Sequence, residues 1–149
     1  MATKAPTAAK VPPTRSAQAV TPSPPSRKNC KVLIADDYLS MRRTIIGILK
    51  QMGFTLFTEA EDGLMAKSIL DSQKIDLVIS DWNMPNMTGI ELLSHVRSST
   101  TLRDIPFLII SGEAQQQNVI EAAKKKVSEY IIKPFPADTL KRKLDKIMQ

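Results

Sequence analysis

From Lys31 to Met148 the chain alternates between short aliphatic, β-branched runs and longer segments with helical spacing. Apolar strands separated by helices demand a parallel sheet covered on both faces. Strands are predicted at Lys31–Ala35, Phe54–Glu59, Ile75–Ser80, Ile105–Ile110 and Tyr130–Ile132. Helices are predicted at Tyr38–Met52, Gly63–Ser72, Gly89–Ser98, Ala114–Lys125 and Ala137–Met148. Ile45, Ile46 and Leu49 mark the inward stripe of the first helix; Leu140, Leu144 and Ile147 mark that of the last. Gly53 stops the first helix. The second strand is the least apolar and belongs near an edge. The fold class is α/β, a doubly wound (βα)5 sheet in the flavodoxin-like strand order 2-1-3-4-5.

The net charge of +6 is unevenly placed. Lys4, Lys10, Arg15, Arg27 and Lys28 fall within residues 1–30, which hold no acids. The remainder is nearly neutral, which argues against a nucleic-acid-binding body. Residues 1–29 also carry six of the ten prolines and almost no large apolar side chains. Such a segment buries too little surface to offset chain entropy, so a disordered, basic, Pro-rich tail is expected before a domain at 30–149. It reads either as a tether or as an arm for an acidic partner, a membrane surface or a proline-binding groove. There is no apolar N-terminal leader and no run long enough to span a bilayer, so the protein is expected to be cytoplasmic, without membrane insertion. One cysteine, Cys30, cannot form an internal disulfide.

Polar groups close the predicted strands: Asp36 and Asp37 after the first, Asp81 after the third, Ser111 after the fourth, Lys133 after the fifth. In an open α/β sheet, ligands bind outside the carboxyl ends of the strands, at the point where the strand order reverses. Here that point lies between strands one and three, so the acids meet. Three carboxylates in one crevice call for a cation, and an all-oxygen set suits Mg²⁺. Asp81 could then serve as a nucleophile toward phosphorus, with Mg²⁺ and Lys133 neutralising the phosphoryl group and Ser111 bonding one of its oxygens. Each residue taken singly reads as a helix cap, a turn or a solvated side chain. The combination is what points to chemistry.

The stretches ADD, DWNMPNMTG, SGE and KPF, in this order and spacing, resemble bacterial response regulator receiver domains, and among them the single-domain chemotaxis regulators. The resemblance covers about residues 31–149. It implies that Asp81 is the phosphoacceptor. It implies Mg²⁺ ligation by Asp37 and Asp81, by Asp36 through water, and by the backbone carbonyl of Asn83. It makes Ser111 the switch hydroxyl, Tyr130 the switch aromatic and Lys133 the lysine on the phosphoryl group, before a cis bond to Pro134. It further implies a population shift, in which Ser111 moves toward phosphorylated Asp81, Tyr130 turns inward, and the face of the fourth helix, fifth strand and fifth helix gains affinity for a partner.

Two departures stand out: Thr88 replaces an acid in the loop, and Lys124, Lys125 and Lys126 fill a helix end where the family carries glycine. The implied role is a stand-alone, monomeric switch. It would take its phosphoryl group from a histidine kinase and signal by protein binding, with a flagellar motor switch protein as the expected target. It would not be an enzyme that turns over a substrate. A phosphate sink, a relay shuttle, a regulator cut to its receiver, or a phosphorylation-independent binding module fit the same residues. A haloacid-dehalogenase-type phosphohydrolase does not, since Asp81 is followed two residues on by Asn83 rather than by Asp. Asn83 and Glu113 flank the site and would influence the phosphoryl lifetime.

Overall fold

A computed structural model describes residues 26–112 and 116–148. The elements are β1 (Lys31–Ala35), α1 (Leu39–Gln51), β2 (Leu56–Ala60), α2 (Gly63–Ser72), β3 (Leu77–Asp81), α3 (Gly89–Ser98), β4 (Phe107–Ser111), α4 (Gln116–Lys124), β5 (Glu129–Ile132) and α5 (Ala137–Ile147). All strand pairs are parallel, as the alternation predicts, and the order is β2-β1-β3-β4-β5, that of the expected flavodoxin-like fold. Ala114, the predicted start of the fourth helix, lies outside the described residues.

Side-chain alternation along the strands builds two cores. Val32, Ile34, Ile79, Leu108 and Ile110 pack under α1 and α5 with Ile45, Leu49, Leu140 and Leu144. Leu33, Val78, Phe107 and Ile109 pack on the other face with Ala66, Leu70, Leu92, Leu93 and Val96. The central strands β3 and β4 are buried throughout, whereas β2 is only partly covered, as expected of an edge.

Two strand starts shift for identifiable reasons. Phe54 is buried but precedes β2, because its N–H closes the end of α1 on Leu49 O at 3.1 Å. Pro106 has no N–H to donate, so the β4 ladder begins at Phe107. At the other ends, Asp81 and Ser111 are the last residues of β3 and β4, each one residue beyond the predicted strand.

The tail boundary needs correction. Arg27–Asn29 form a 3-10 turn joined to the body. The Arg27 guanidinium pairs with Asp145, donates to Met52 O at 3.1 Å and lies 5.7 Å from the Phe54 ring centroid. Composition averages over such a single anchoring side chain. The tail expected for residues 1–25 lies outside the described residues. Among the described residues no helix is long and apolar enough to cross a membrane.

Helix ends follow local chemistry. Asp62 caps α2 by accepting from Met65 N at 2.7 Å. Thr88, the departure noted above, forms a capping box with Glu91 at the start of α3. At the end of α4, Val127 N donates to Ala122 O at 3.1 Å and Lys126 N donates to Ala123 O at 3.0 Å. This is a Schellman cap, and it holds Lys126 at φ 64°, in the left-handed region that glycine occupies with least strain.

Candidate functional site

Parallel register brings the acids together. Ala35 of β1 pairs with Ser80 of β3, so Asp36 and Asp81 leave neighbouring strands at the same height. Carboxylate oxygens of Asp36, Asp37 and Asp81 all lie within 4.8 Å of one another. Asp36 and Asp81 are buried, while Asp37 stands exposed at the mouth. Lys133 arrives from the end of β5, and its Nζ sits 3.3 Å from both Asp36 Oδ2 and Asp81 Oδ1. The Lys133–Pro134 peptide is cis, as the resemblance implied.

Backbone groups fix the carboxylates further. Tyr38 N donates to Asp36 Oδ1 and Trp82 N donates to Asp81 Oδ1, each at 2.9 Å. Burial raises the Asp81 carboxyl above its ordinary value, and the neighbouring Asp36 charge adds to this; Lys133 and the Trp82 N–H pull it back. One ammonium facing three carboxylates leaves about two negative charges to be met from outside, which matches a divalent cation. Opposite ligands of octahedral Mg²⁺ lie about 4.2 Å apart, so small side-chain movements would close this set on the ion. The donors are all hard oxygens. The residues present fit Mg²⁺.

Ser111 is buried at the end of β4, one residue beyond Ile110, which pairs with Asp81. Tyr130 on β5 is half-buried, and its ring meets that of Trp82 edge to face at 6.2 Å. Asn83 is exposed, two residues past Asp81. Glu113 lies outside the described residues. His95 pairs with Asp71 at 3.0 Å and takes no part in the pocket.

Gly89 holds the loop after β3 in place. Its N–H donates to Trp82 O at 2.8 Å, and a Cβ there would stand 2.0 Å from Asp81 O. Only glycine lets the start of α3 approach the backbone of Asp81 this closely.

A model of the response regulator receiver domain matches residues 32–145. The chain belongs to that family. This receiver is 48% identical to the chemotaxis protein CheY-3 of Vibrio cholerae over 122 residues, 82% of this chain and 94% of the relative. It is 45% identical to the chemotaxis protein CheY of Pseudomonas aeruginosa over 119 residues, 80% of this chain and 96% of the relative. Among solved structures it resembles the chemotaxis response regulator CheY4 of Vibrio cholerae, with a TM-score of 0.73 and 30% identity, covering 79% of this chain and 98% of the other. The fold is shared with the receiver domain of a Pseudomonas aeruginosa sensor histidine kinase, which holds a magnesium ion in its active-site cleft. That match has a TM-score of 0.72 and 22% identity, and covers 80% of this chain and 97% of the other.

Two elements of the receiver's site escape sequence reading. Arg42 lies at helical spacing from Ile45, Ile46 and Leu49, on the buried face of α1, and that spacing was the available signal. It is buried, and its Nη1 donates to Asp36 O at 2.7 Å. The contact of Gly89 with Asp81 O is the other, and no local pattern announces it.

Proposed function

We propose that this receiver is a phosphorylation switch of a chemotaxis system, with Asp81 as the phosphoacceptor and a histidine kinase as the donor. The observation that carries the reading is the cluster of Asp36, Asp37 and Asp81 within 4.8 Å, with Lys133 Nζ 3.3 Å from two of them. Mg²⁺ would be held by Asp37 and Asp81, by Asp36 through water and by the Asn83 carbonyl, and it would supply positive charge to the phosphoryl oxygens.

The protein's own part is mostly positioning. Trp82 N–H and Lys133 hold Oδ1 of Asp81, which presents Oδ2 as the attacking oxygen. That oxygen forms the new O–P bond as the N–P bond to the donor histidine breaks, and the imidazole leaves with its electron pair and takes up a proton. A carboxylate attacks as it stands, so no general base is needed. Lys133 stays within reach of the transferring oxygens and compensates their charge. Ser111 and Tyr130 are the switch pair in this reading, and nothing in the site turns over a separate substrate.

The output surface is the α4–β5–α5 face. Val119 is 37% exposed, Ile120 46% and Ile132 42%, beside the exposed Lys124, Lys125 and Lys126. Apolar residues rimmed by cations suit a partner with an apolar anchor and acidic flanks. A flagellar motor switch protein is the proposed target, on the strength of the chemotaxis relatives.

The test uses Trp82, the only tryptophan. Its emission should change with Mg²⁺ and again with acetyl phosphate, and Asp81→Asn should lose the second step. A wild type that shows neither a fluorescence change nor a mass adduct with acetyl phosphate overturns the reading. A phosphorylated protein with no gain in affinity for a motor switch protein points instead to a phosphate sink or relay shuttle.

A further inference from the structure

Arg42 and Glu59 form an ion pair whose placement bears on the metal pocket. Arg42 lies on the inner face of α1 with only 9% of its side chain exposed, and Glu59 lies near the end of the edge strand β2 with 28% exposed. Arg42 Nε donates to Glu59 Oε1 at 2.9 Å, while Nη1 of the same guanidinium donates to Asp36 O at 2.7 Å. Both positions face a helix-covered sheet surface, where two apolar side chains would pack as well. A partly buried ion pair gives little net stability over such a replacement, because desolvation offsets the attraction. Packing alone does not account for it.

The contact with Asp36 O does. The peptide joining residues 36 and 37 is planar, so fixing the direction of its carbonyl fixes the plane from which the Asp37 Cα departs. Asp36 is otherwise held at its N–H, which donates to Ala60 O at 3.1 Å, and at both carboxylate oxygens, by Tyr38 N and Lys133 Nζ. The carbonyl is the remaining handle on the turn, and Arg42 holds it. Glu59 in turn fixes the guanidinium, since the planar fork presents Nη1 to the carbonyl only while Nε is engaged. Lysine offers a single nitrogen on a flexible stem, so it cannot reproduce the fixed plane in which Nε and Nη1 meet the two acceptors.

We propose that Arg42, set by Glu59, is a positioning residue that orients the Asp36–Asp37 peptide and thereby the carboxylate of Asp37 for Mg²⁺. The inference rests on the reading of the acidic pocket as a Mg²⁺ site. Arg43 provides the control: it reaches the same Glu59 at 3.6 Å from an exposed position, and its contacts do not include Asp36.

The experiment is a Mg²⁺ titration of full-length protein followed by Trp82 emission, on wild type, Arg42→Lys, Glu59→Gln and Arg43→Ala, with metal-free melting of each. Loss of an outer-sphere support weakens metal binding about tenfold or more. Arg42→Lys and Glu59→Gln should therefore raise the Mg²⁺ Kd about tenfold, with Arg43→Ala at the wild-type value. A purely structural pair would lower the melting temperature and leave the Kd unmoved, and that result in a folded Arg42→Lys overturns the proposal. If Arg42→Lys does not fold, an unchanged Kd in Glu59→Gln overturns it equally. A wild type without any Mg²⁺ response removes the Mg²⁺ reading itself and is told apart by that.

Discussion

Asp81→Asn should stabilise the metal-free protein, although it removes the proposed phosphoacceptor. Asp81 is 6% exposed. Desolvating a carboxylate to this degree costs several kcal/mol in the ionised state. Asp36, with oxygens within 4.8 Å, adds repulsion of about 3.5 kcal/mol at an effective dielectric of about 20. Lys133 at 3.3 Å returns about 5 kcal/mol on the same scale. The desolvation is what tips the balance against the charge, in keeping with the raised carboxyl of Asp81. Asparagine keeps the size and drops the charge, for an expected gain of about 1–3 kcal/mol, or roughly 3–6 °C in melting temperature per kcal/mol for a domain of this size.

The sign with pH follows from the raised folded-state value. Below the ordinary value of 3.8 the carboxyl is protonated in both states and contributes nothing. As pH rises above it, the unfolded chain ionises first, so wild-type stability is lost relative to the variant. Melting curves in chelator at neutral and acidic pH should show a gap that closes on acidification. Excess Mg²⁺ should raise the wild type more than the variant and narrow the gap. A metal-free variant that melts at or below wild type at neutral pH refutes the electrostatic argument.

Other outcomes follow from single contacts. Gly89→Ala forces a Cβ toward Asp81 O at 2.0 Å, so it should destabilise by about 1–3 kcal/mol and weaken Mg²⁺ binding, read by melting and by Trp82 titration. Lys133→Met removes the cation that competes with a metal, so Mg²⁺ should bind more tightly while acetyl phosphate reacts more slowly; weaker Mg²⁺ binding would contradict the assignment. Lys126→Gly relieves a left-handed lysine and should stabilise by about 1 kcal/mol without altering Mg²⁺ affinity. Burial, with a contribution from Asp76, pushes the Cys30 thiol up to about 11, so alkylation at neutral pH should proceed only through the denaturant unfolding transition.

The alternation of apolar runs with helical stripes was enough to determine a parallel sheet with a two-sided core, because burial on both faces leaves few other solutions, while the strand order was taken from the flavodoxin-like fold. The acids, the lysine and the serine were legible as a set because each stands at or just past the carboxyl end of a strand, where a parallel sheet makes them converge, whereas Tyr130, near the start of β5, was singled out only by the family resemblance. The resemblance, with glycine where Lys124, Lys125 and Lys126 stand, pointed to the helix end, but only the structure shows that Lys126 is the left-handed one. What sequence left out depends on distances between segments far apart in the chain. That Arg42 grips Asp36 O, that Glu59 of an edge strand holds Arg42, that Gly89 touches Asp81 O and that Arg27 anchors on Asp145 and Phe54 are facts of register and helix docking. Periodicity tells a residue which face to take, but only the packed tertiary structure decides which atom it meets there.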